Sequence, residues 1–67
     1  MNALEISRAK DCIRDSLKML DYCVLSDKST QDDILRQEIQ CKAQIDMLEH
    51  MGLHVDDFRH QMNKILS

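Results

Sequence analysis

Two apolar-striped segments of matched length meet at the polar joint Ser26-Asp27-Lys28-Ser29-Thr30, and this layout constrains the chain more than any other feature. Apolar side chains recur at helical spacing over 3–25 and again over 30–51. The joint between them is too short for anything except a reversal, so the pattern predicts an antiparallel αα-hairpin. A lone hairpin buries one seam and leaves the other apolar rows of its helices open. The work of such a chain is therefore expected to fall to a surface.

The first segment opens on Asn2, a capping residue, with Glu5 three positions on, placed to reach back to the Asn2 amide. Ile6, Ala9, Ile13, Leu17, Leu20 and Val24 follow at steps of three and four, with charged residues over most of the remainder. The joint stops this helix by polar competition, because Ser26, Asp27, Ser29 and Thr30 can all bond their own backbone. Ser29 with Asp32, and Thr30 with Asp33, both fit a capping box for the next helix. That helix carries Ile34, Cys41, Ile45 and Leu48 on one face, widened by Leu35, Ile39 and Met51 and diluted by Gln37, Gln40, Lys42 and Gln44.

Gly52, the only glycine, follows the last periodic residue and suits a left-handed helix stop. Val55, Phe58, Met62, Ile65 and Leu66 then make a third, shorter stripe, predicting a helix over 55–66 that must pack on the hairpin or on a partner. A single bent helix over 30–66 is the alternative, since one interior glycine costs only about 1 kcal/mol. The fold class is all-α: one domain over 1–67, an antiparallel hairpin paired as a short coiled coil, with a third helix or bent C-terminal extension. No proline interrupts it. Ile13, Leu17, Leu20, Ile45 and Leu48 are the expected central seam.

Composition narrows the function classes. Twelve acidic against nine basic residues, a net charge of −3 and no basic run are poorly suited to neutralising phosphates. Nucleic acid and anionic membrane are thus not expected as partners. No stretch approaches the roughly 20 apolar residues of a membrane span, and the N-terminal residues show no apolar core of a secretory signal. Three cysteines (Cys12, Cys23, Cys41) form no CxxC pair and cannot all be bridged within one chain. They are read as reduced thiols acting as small buried hydrophobes in a cytoplasmic protein.

Catalytic chemistry has no foothold in the pattern. There is no Gly-rich phosphate loop, no HExxH and no nucleophile beside a base in a signature context. The chain is read as a non-enzyme without cofactor. His50, His54 and Asp57 would share a face on a continuous helix, as metal ligands do, but Gly52 interrupts that geometry. They are read with His60 as solvated polar residues, and no metal is assigned. The methionines can re-pack easily, and Met19 and Met47 fall off their main stripes.

The opening Met1-Asn2-Ala3-Leu4-Glu5, the two-arm layout with its short polar turn, and the step Leu48-Glu49 late in the second arm resemble the small co-chaperones of type III secretion systems. The resemblance implies a cytoplasmic helical hairpin that pairs with a larger tetratricopeptide-type chaperone to keep the needle subunit soluble. The chain departs from that pattern in its glycine-free turn and in the stripe after Gly52. From the residues themselves the expected function is a small helical protein-binding module, whose contacts are Met19, Tyr22, Leu35, Ile39, Met47 and Phe58. The alternative is a self-associating regulator, with two hairpins forming a four-helix bundle.

Overall fold

The computed structural model describes residues 2–67 as three helices: α1 (Ala3–Leu25), α2 (Gln31–His50) and α3 (Asp56–Leu66). No strand occurs among the described residues. Met1, part of the opening noted above, lies outside them. α1 packs along α2 as the predicted hairpin, and α3 doubles back to pack chiefly on α1. Arg59 fixes that return: its guanidinium donates to Asp46 Oδ1 at 2.7 Å and Glu49 Oε1 at 2.9 Å, both on α2. The molecule measures 40 × 18 × 16 Å with a radius of gyration of 12.3 Å. A compact chain of this length would have about 11 Å, so this one is a rod with much surface for its core.

Each boundary has a local cause. Asn2 accepts the Glu5 amide at 2.9 Å and caps α1, whereas the reciprocal Glu5 bond is not formed among the described residues. Thr30, not Ser29, caps α2, and here both halves of the box are present: Asp33 N–H to Thr30 Oγ1 and Thr30 N–H to Asp33 Oδ2, each 3.2 Å. Two orphan amides are thereby satisfied, an arrangement typically contributing about 1 kcal/mol. Gly52 adopts φ +84°. Around it Leu53 N–H reaches Leu48 O at 3.1 Å and Gly52 N–H reaches Glu49 O at 2.9 Å, the paired bonds of a Schellman stop. In this structure α2 therefore ends and α3 is a separate element, against the bent-helix alternative. Both α2 and α3 are one residue shorter at their starts than predicted.

The core is one cluster. Ile13, Leu17, Leu20, Ile45 and Leu48, the expected seam, are buried with Cys41, and Val55 just before α3 closes it with Phe58 and Met62 of α3. Ala9, Ile34, Leu53 and Ile65 pack at its edge. Gln37 straps the hairpin by donating to the Ser16 carbonyl at 3.1 Å. Arg14, paired with Asp11 at 2.8 Å, also lies over the Phe58 ring, 5.9 Å from its centroid.

Two expectations are corrected here. Phe58, read as an exposed partner contact, is only 7% exposed and anchors α3 in the core. Its large ring is the best apolar group α3 has for covering the seam, and a short helix without it could not stay docked. Cys12, read as a buried thiol, is exposed, and Cys23 is only partly buried. Both lie to one side of the Ile13–Leu17–Leu20 row that faces α2.

Candidate functional site

α3 covers one side of the hairpin and leaves the other bare. On α2, Asp46 and Glu49 turn toward α3, and Met47, rotated by about 100° from Asp46, faces the uncovered side. A groove of about 180 Å³ runs there between the first two helices, lined by Ala9, Cys12 and Ile13 of α1 and Gln44, Met47 and Leu48 of α2. Met47 is 62% exposed at its edge. Farther along α1, Asp15, Lys18, Met19 and Tyr22 line a shallower concavity. A third, lined by Gln31, Asp32, Ile34, Leu35 and Glu38, lies on the first turns of α2.

The predicted contact residues therefore separate into three places. Met19 and Tyr22 stand together on α1, and Tyr22 is 69% exposed. Met47 stands in the inter-helix groove. Leu35 and Ile39, one turn apart on α2, are more than half exposed, and Ile39 lies away from the core-facing Cys41. Phe58 belongs to none of them. Leu4, Leu25 and Met51 add further exposed apolar area.

Gln44 is the feature the sequence reading passed over. Its Oε1 is shut off from solvent and meets no hydrogen-bond donor among the described residues. An unpartnered buried carbonyl costs about 1–3 kcal/mol. The available signal was the row Cys41–Gln44–Leu48, where a glutamine occupies a position whose neighbours are core. Cys12 in the same groove was missed because its thiol was assigned to the buried stripe.

The electrostatics are mild. Burial pushes the Cys41 thiol above its ordinary value of 9.0, opposed in part by a hydrogen bond with Gln37. Asp46 and Glu49 raise the Arg59 value further above its already high one, so that side chain stays charged. All three thiols are free. His54 Nε2 lies 3.5 Å from Asp56 Oδ2, both well exposed. No group of three His, Cys, Asp or Glu side chains able to hold a metal ion occurs among the described residues. Among the described residues no helix is long and apolar enough to cross a membrane.

Comparison with known protein families, curated proteins and solved structures finds no match for this chain.

Proposed function

We propose that this protein is a small non-catalytic helical module that binds another protein through the side of the hairpin that α3 leaves bare. The observation that carries the reading is the groove between α1 and α2, lined mostly by apolar side chains, with exposed Met47 at its rim. A helix laid in that groove would cover the Met47 thioether and the apolar floor of Ala9, Ile13 and Leu48, the helix-in-groove mode of recognition. Met19 and Tyr22, in their own concavity on α1, offer a second apolar contact. The concavities are shallow and open, which suits a docking surface better than chemistry that must exclude water.

In its specific form the reading is a cytoplasmic co-chaperone of a type III secretion needle subunit, acting with a tetratricopeptide-type partner chaperone. The hairpin layout and its short polar turn support this form. Co-expression with a needle subunit and such a chaperone tests it. A ternary complex that Met47→Glu dissolves, while helicity by circular dichroism stays at the wild-type level, is the expected result. Separate elution of all three proteins at micromolar concentration would refute the co-chaperone form. Groove recognition in general is refuted if Met19→Glu and Met47→Glu leave every association of the protein intact.

A further inference from the structure

We infer that Gly52 is a hinge between two forms of this chain: the closed protomer, and a dimer in which α2 and α3 run on as one helix and each α3 docks on the α1 of the other copy. The sequence pattern points there first. Ile34, Cys41, Leu48, Val55 and Met62 recur every seven residues, and Gln37, Gln44, Met51, Phe58 and Ile65 recur every seven beside them. This a/d register passes through the α2–α3 turn without a skip, although the closed protomer has no use for continuity across a reversal. Gly52 itself falls at the e position beside the seam, in register with Ile45, and is neither an a nor a d residue.

The Arg59 pairs with Asp46 and Glu49 that fix the return in the closed protomer would form again in the exchanged dimer, between the two copies. Apart from Gly52 at φ +84°, no described residue has a positive φ, and 51–55 contains no proline. α3 starts at Asp56, and its N-cap residue Val55 supplies no side-chain hydrogen bond, an end that continuation from α2 would satisfy. The occupant of the vacated surface on α1 is a second copy's α3 because that surface already fits it: the same Phe58 ring would meet Arg14, now across the two chains. Met51, half exposed in the closed form, would gain cover within the continuous seam. The uncovered groove of the hairpin takes no part, so this inference stands apart from the binding role proposed above.

A Cβ on Gly52 meets nothing within 4 Å. The whole effect of Gly52→Ala is therefore conformational: L-alanine opposes the left-handed turn and favours the helix, shifting each hinge roughly a hundredfold toward the straight form. Two hinges multiply to about 10⁴ in the dimerisation constant. D-alanine at the same position, accessible by chemical synthesis of the chain, favours the left-handed turn and should lock the protomer closed.

Light scattering on the full chain, wild type against both variants over one matched concentration series, reads this directly. The expected result is a dimer for the L-alanine chain and a monomer for the D-alanine chain. In a mixed isotope-labelled dimer, Phe58–Arg14 nuclear Overhauser effects should then be intermolecular. A folded monomer for the L-alanine chain, a dimer with only intramolecular Phe58–Arg14 contacts, or a dimeric D-alanine chain would each overturn the inference. Loss of helicity in the L-alanine chain would overturn it too, because a continuous helix prefers alanine to glycine.

Discussion

Gln44 and Cys41 lie three residues apart on α2 and show how differently burial acts on a polar and a weakly polar side chain. Gln44 keeps a carbonyl oxygen out of water with no donor to bond it. Replacing both its polar ends with a hydrocarbon of similar reach removes that cost, so Gln44→Leu should stabilise the isolated protein by about 1 kcal/mol, read as a higher urea midpoint. An unchanged or lower midpoint would mean that the carbonyl finds a donor in solution. Cys41 is fully buried and its thiol titrates above 9.0 in the native state. An unfolded thiol loses its proton first as the pH rises, so the native state is favoured below pH 9 and that stability is lost as the pH climbs through the raised native value. Denaturant midpoints should fall between about pH 8 and 10, one unit either side of the reference thiol value of 9.0, more steeply for wild type than for Cys41→Val. Parallel slopes would show that the buried thiol does not contribute.

At the scale of elements, the hairpin was legible because its causes are local. Three- and four-residue spacing marks the stripes, Thr30 with Asp33 makes the box, and Gly52 makes the stop. The third helix was legible as a helix but not as a lid. Periodicity says that Phe58 and Met62 share a face with Val55; which neighbour that face meets is a tertiary matter, decided by the turn at Gly52 and the Arg59 pairs with Asp46 and Glu49. The same limit explains Cys12. A thiol beside a stripe is buried only if another helix comes over that side, and α3 comes over the opposite one. The seam itself was legible from the first stripe, and Leu17 and Leu48 sit in its centre, each essentially fully buried. Leu17→Ala and Leu48→Ala should each cost about 2–5 kcal/mol, a large share of the roughly 3–5 kcal/mol that one small core supplies. Thermal melts that keep their wild-type midpoint in both variants would place the core elsewhere.

For the whole molecule, shape decides what the parts are for. A rod 40 Å long and 16–18 Å across cannot enclose every apolar row of three helices, and α3, with 11 residues against 23 in α1, covers only part of one side. The residues left over are large: Met19, Tyr22, Leu35, Ile39 and Met47 are all more than half exposed. Exposed apolar surface of this extent on so small a chain is what the proposed binding role rests on. Its central test is site-specific photo-cross-linking in the native cell, with a photoreactive side chain placed in turn at Met19, at Met47 and at the exposed, polar Lys28 of the hairpin joint. Discrete higher-mass adducts from positions 19 and 47, with none from 28, are the predicted result. No adduct from 19 or 47, or equal labelling from 28, would contradict the assignment of this surface as the one through which the protein works.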